Sequence, residues 1–159
     1  MSASPTESKT IMQKLIERSQ IYAKSHTPAM TLSEGKALPA GSVPKVNVII
    51  RNAGGRAKEA LRSIICMDTL VGLASVIVVH HTDCGLTHLT NVSIRNSLLS
   101  KNPSLESSII NMEFGEITDI PSAVLEDVSF LRDSPLIDDS IPIYGCVYDI
   151  GTGLVSEVL

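Results

Sequence analysis

VIVVHHTDCG, residues 76–85, is an unbroken apolar run that ends abruptly in polar and metal-binding side chains. Its first four residues are all β-branched, which favours a strand. Side chains alternate along a strand, so His80 and His81 point to opposite sides. His81 and Cys84 stand three residues apart where the strand ends. Zinc takes nitrogen and sulfur donors in a tetrahedron, so this pair has the chemistry of half a zinc site. By itself the spacing is a weak signal, because a free Cys more often packs as a small hydrophobe.

Upstream, VNVII (Val46–Ile50) is apolar and bounded by Pro44 and the NAGG turn, and it reads as a buried strand. RAKEALRSIICMDTLVGL then places Ala57, Ala60, Leu61, Ile64, Ile65, Met67 and Leu70 at helical spacing. Downstream, LTHLTNVSIRNSLLSK reads as helical, SSIINMEF as a third strand, and IPSAVLEDVSFLRDSPLI as a helix stopped by Pro135. IPIYGCVYDIGTGLVSEVL reads as a strand, a tight turn and a short return strand. Nearer the start, Ile11, Leu15, Ile16, Ile21 and Tyr22 mark an amphipathic helix after a flexible tail, residues 1–9. HTPAMTLSEGKALPAGSVPK is broken by Pro28, Pro39, Pro44, Gly35 and Gly41, leaving at most a short helical turn near residues 32–37.

Alternating strands and helices imply parallel β-α-β units, an α/β fold in one domain of 159 residues. Such sheets carry their chemistry at the carboxyl ends of the strands. Arg51 and Asn52 follow one strand and His80–Cys84 another, so both sets are expected at one edge.

Composition narrows the partners. Net charge is −4 with no cluster of Lys or Arg, and the chain has no Trp, two Phe and three Tyr. A nucleic-acid partner would want a basic face or stacking platforms, so none is expected. No apolar run approaches the ~20 residues needed to cross a bilayer, and the polar start MSASPTESKT has no apolar leader segment. Cys66, Cys84 and Cys146 are too few for a disulfide framework, which points to a reducing, cytoplasmic setting.

RNAGGRAKEALRS followed by VIVVHHTDCG resembles the β-class carbonic anhydrases. In that family an Arg-Asn-Ala-Gly-Gly turn follows one strand and His-His-x-Asp-Cys-Gly the next. The C-terminal VLEDVSFLRDSPLI and IPIYGCVYDIGTGLVSEV, and the lead-in IYAKSHTP, are similar to the family as well. The resemblance implies a mostly parallel sheet flanked by helices, and a homodimer whose N-terminal helix packs on its partner. It implies hydration of carbon dioxide to bicarbonate by zinc, with His81 and Cys84 as two of three protein ligands. Gly54 and Gly55 match a turn where small residues let backbone approach the substrate site. Arg51, Asn52 and Asp83 are the further candidates for catalytic work.

The family's third ligand comes from a Cys-x-Asp-x-Arg motif on an earlier strand, whose Asp and Arg orient the attacking water. This sequence has no such motif. Aligned without a gap, AMTLS puts Ala29, Thr31 and Ser33 in those places, and none of them can serve. Aligned through YAKSHTP, most of that strand is absent and the sheet is one strand short, the preferred reading because Pro28 suits a buried strand poorly. Either way zinc is expected to be weak or absent, because two protein ligands hold it poorly. A repurposed enzyme acting on another small substrate, with Cys84 as nucleophile and His81 as base, is the alternative, alongside a non-catalytic member.

Other candidates are weighed against plainer roles. CMDTL imitates the missing motif without its Arg, and Cys66 reads as helix packing. Cys146 reads as core. His88 lies four residues after Cys84 but reads more readily as an exposed or capping residue. Asp83 serves equally well as a turn residue or as a group orienting an imidazole. His26 and Glu34 lie in the irregular segment, where nothing in their spacing ties them to the site.

Overall fold

The computed structural model describes residues 21, 24, 25 and 48–158. By its contacts the chain divides into two compact units, Met1–Asn47 and Val48–Leu159, and the sheet and the candidate site lie in the second. The expected helix over residues 11–22, the tail, residues 32–37, and His26, Ala29, Thr31, Ser33 and Glu34 lie outside the described residues.

Among the described residues the sheet has three strands in the order β1 (Val76–His81), β2 (Ile143–Tyr148), β3 (Val155–Glu157). β1 and β2 run parallel, in register from Val76 opposite Ile143 to His81 opposite Tyr148. β3 returns antiparallel to β2 through a turn closed by Asp149. The sheet is therefore mixed, with one parallel and one antiparallel junction, where a mostly parallel one was expected.

Helix α1 (Ala57–Val71) buries Ala57 and Ile64 and packs Ala60 and Leu61 against the same core. It ends at Gly72, whose φ of 71° is the left-handed stop that glycine adopts without strain. Between β1 and β2 lie α2 (Asn91–Lys101), a single helical turn α3 (Glu106–Ile109), and α4 (Ile120–Arg132). α2 starts at a reciprocal cap in which Thr90 and Ser93 satisfy each other's backbone N–H. In α4, Asp119 caps the N-terminus and Pro121 sits in the first turn, while Ala123, Val124, Asp127, Val128 and Leu131 form the buried stripe. Val124, Val128 and Leu131 of that stripe share one core with Val78 and Ile143 of the sheet and Ala57 and Ile64 of α1.

β1 alternates: Val78 and His80 are buried, while Ile77 (59% exposed) and Val79 (46%) show the other face to solvent. No helix among the described residues is long and apolar enough to cross a membrane.

Four expectations need correction. Residues 48–50 of the expected strand Val46–Ile50 form no strand, and Ile49 is 79% exposed. β-branching makes a segment fit for pairing, but only a partner makes it a strand. SSIINMEF is not a strand either: Asn102 caps a helical start at Pro103, and the chain continues into α3 and a turn. Cys66 is on a helix as expected but exposed rather than packed. It lies two residues past Ile64, about 200° around the helix from the buried face. Cys146, read as core, is half-buried in β2.

Candidate functional site

The turn after residue 50 is built by its own residues. The Asn52 side chain donates through Nδ2 to the Arg56 carbonyl at 2.8 Å, tying the turn across four residues. Inside it Gly54 and Gly55 take φ of 73° and 68°. Both are also hemmed in. A Cβ on Gly55 would lie 3.1 Å from the Val79 carbonyl and 3.2 Å from the His80 ring. A Cβ on Gly54 would lie 2.6 Å from Leu86. The turn thus rests on the carboxyl end of β1 and on the loop after it, which brings the two expected groups of residues to one edge. Arg51, next to the turn, is exposed.

Beneath the turn runs a chain of charged side chains. Arg56 reaches Asp127 with Nη1 at 3.6 Å and Glu126 with Nη2 at 3.2 Å. His80 Nε2–H donates to the Asp127 carboxylate at 3.0 Å, with both side chains almost fully buried. His80 Nδ1 and Asn52 Oδ1 are buried without a hydrogen-bond partner among the described residues. Sequence reasoning did not include Arg56 or Asp127 and gave His80 no role. The signal was present: an acidic residue on the apolar stripe of α4 must find a partner once buried.

At the end of β1, His81 turns to the exposed face. Its Nδ1–H donates to the Thr82 carbonyl at 2.9 Å. In the neutral ring this fixes the tautomer with the lone pair on Nε2, the form in which metal-binding histidines are commonly held. Thr82 is fastened to the end of β2, its N–H to the Tyr148 carbonyl and its hydroxyl to the Ile150 N–H. Asp83 has a φ of 55°, so the chain reverses there. Its carboxylate meets His88 at 3.1 Å, both well exposed, so the imidazole it orients is His88 rather than His81. Cys84 follows, 5% exposed, in a small apolar cluster with Ile117, Ala123, Leu86 and Ile120. Its carbonyl accepts from the Thr87 N–H and hydroxyl, closing a short helical turn, Gly85–His88.

Comparison with known proteins gives this arrangement its family. The chain is 32% identical over 125 residues to a carbon disulfide hydrolase of an Acidianus species, covering 65% of this chain and 61% of that protein. It is 27% identical over 112 residues to β-carbonic anhydrase 1 of Mycobacterium tuberculosis, covering 69% and 66%. Among solved structures, a carbonic anhydrase from Glaciozyma antarctica is 34% identical with a TM-score of 0.65, over 69% of this chain and 66% of that one. A carbonic anhydrase from Streptococcus mutans has a TM-score of 0.72 at 28% identity over the full length of both. The chain belongs to the β-carbonic anhydrase family. It matches no protein-family model. Its alignments span 60% and 61% of the length of the carbon disulfide hydrolases it resembles.

β-Carbonic anhydrases are zinc proteins, and the donors present can be tested against that metal. His81, through Nε2, and the Cys84 thiol are donors of the right kind. Among the described residues no group of three His, Cys, Asp or Glu side chains is close enough to hold a metal ion. His81 and Cys84 thus offer two donors of the right kind, with no third to complete a site among the described residues.

Proposed function

We propose that this β-carbonic anhydrase family member is a divergent lyase of the zinc type, hydrating carbon dioxide to bicarbonate with a metal site short of one protein ligand. The observation that carries the reading is the His81 ring. Its Nδ1–H is committed to the Thr82 carbonyl, leaving Nε2 as a donor three residues before Cys84. Zinc, when bound, supplies a Lewis acid that makes water nucleophilic near neutral pH. The chain's own part is to present Nε2 of His81 and the thiolate of Cys84 from the end of β1. Gly54 and Gly55 keep the neighbouring turn low, and Arg51 and Asn52 border the space where a small substrate would sit. Asp83 holds His88 beside it. With no Cys-x-Asp-x-Arg motif in the sequence, zinc is held weakly and turnover is poor. In the same reading residues 1–159 form one cytoplasmic domain that pairs as a homodimer, with neither nucleic acid nor membrane as a partner.

A second reading has an observation of its own. Both carbon disulfide hydrolases align with this chain, so another small linear molecule is a candidate substrate on the same fold.

The zinc-to-protein ratio of the purified chain, measured beside carbon dioxide hydration and carbon disulfide hydrolysis assays, tests both readings. Substoichiometric zinc with slow hydration, abolished in Cys84→Ala, supports the first. Carbon disulfide turnover well above carbon dioxide turnover supports the second. Full zinc occupancy with brisk bicarbonate formation would remove the claim of an incomplete site, and a Cys84→Ala variant that keeps every activity would remove both readings.

A further inference from the structure

We infer that Asp127 is a positioning residue: by holding the His80 ring it fixes the carboxyl end of β1, the backbone from which His81 and Cys84 project. The inference rests on the reading of those two residues as donors to a metal.

His80 has two ring nitrogens; Nε2–H meets Asp127 at 3.0 Å and Nδ1 has no partner among the described residues. Among the described residues the hydrogen bond to that carboxylate is the only one the buried ring makes. Asp127 is in turn anchored on α4 and faces Arg56 at 3.6 Å, the residue that follows the Gly54–Gly55 turn. Arg56 cannot swing freely, because its stem lies against Gly115, where a Cβ would come within 2.9 Å. Gly55 packs against the Cδ2–Nε2 edge of the His80 ring. One carboxylate thus joins α4, the residue after the glycine turn and the carboxyl end of β1. The next residue in the chain is His81, whose own ring depends on a hydrogen bond to the adjacent Thr82 backbone. Backbone movement at residue 80 is passed directly to that bond.

Groups that orient metal-binding side chains typically contribute ~10–100-fold to metal affinity. The test uses the full chain as wild type, Asp127→Asn, Arg56→Lys and Glu126→Gln, at one fixed pH. Cobalt(II) is titrated in, with thiolate-to-cobalt absorption as the signal, and the carbon-bound imidazole protons are followed by NMR without metal. Asp127→Asn is expected to weaken cobalt binding about tenfold and to shift the carbon-bound ring-proton resonances of His81 while circular dichroism stays native. Arg56→Lys shifts both in the same direction by less. Glu126→Gln, which removes only an exposed partner of Arg56, changes neither.

If Asp127→Asn does not fold, Arg56→Lys decides alone. Unchanged cobalt affinity and an unchanged His81 signal in the folded variants would overturn the inference. Absence of the thiolate band in the wild type would defeat the reading of His81 and Cys84 as metal donors. The NMR comparison would still decide the positioning role.

Discussion

His80 and Asp127, 47 positions apart in sequence, meet at 3.0 Å in the core, whereas His81, one residue on, faces solvent. The two adjacent histidines should therefore respond very differently to removal. His80→Ala leaves a cavity and takes from a buried carboxylate its nearest partner, which costs about 2–4 kcal/mol of stability. His81→Ala deletes an exposed ring and should stay within about 0.5 kcal/mol of wild type. Urea unfolding of both variants checks the contrast; equal losses would show that the two rings share one environment.

Gly55 is required twice over, by its φ of 68° and by the lack of room beside Val79 and His80. A non-glycine residue in the left-handed region costs ~1–2 kcal/mol even in open space. Gly55→Ala is expected to destabilise by about 2 kcal/mol and to disturb the His80 imidazole signals. Gly72→Ala serves as control: its φ is similar, but nothing lies within 4 Å of where its methyl group would sit, so only the backbone cost is expected. Urea unfolding of the two variants, with NMR of the histidine rings, separates the steric cost from the backbone one.

Gly145 in β2 lets α4 lie close to the sheet. A Cβ there would come within 2.7 Å of Val124 and 3.0 Å of Val128. Gly145→Ala should cost about 1–3 kcal/mol as overpacking. Val124→Ala in the same chain should recover part of that loss, giving a favourable coupling in a double-mutant cycle. Strict additivity of the two changes would show that helix and strand are not in contact there.

Asp119 caps α4, and hydrogen bonds from the Ser122 side chain and then its backbone N–H hold the carboxyl below its ordinary value of 3.8. A carboxyl lowered in the folded state contributes stability that is fully present above the unfolded value. That stability is lost as pH falls through the folded one. Asp119→Asn keeps a capping oxygen without the titration, so its thermal midpoint should fall less than wild type's between about pH 5 and pH 3. Parallel melting curves over that range would show that Asp119 carries none of the acid sensitivity.

Much of this was legible in the residues. The spacing of Ala57, Leu61 and Ile64 and of Val124, Val128 and Leu131 marks helices because their hydrophobic faces repeat every turn. Val76–His81 and Ile143–Tyr148 read as strands for their β-branched content. Residues 48–50 and 107–114 misled because short apolar runs look alike whether or not a neighbouring strand is there to pair with them. At the site, the glycine turn and the His81–Cys84 spacing were visible, since each is local. The Arg56–Asp127–His80 chain was not, since its members come from three separate elements.

The sequence by itself determined the family, the donor spacing at the end of β1 and the glycine pair of the turn at residues 54 and 55. These follow from neighbours along the chain, where steric limits and residue chemistry act over a few positions. Only the tertiary structure decided that His80 is buried against Asp127, that Asp83 meets His88, and that Cys84 is enclosed while Cys66 is exposed. Those outcomes depend on contacts between distant segments, and burial is a property of what packs around a residue rather than of the residue.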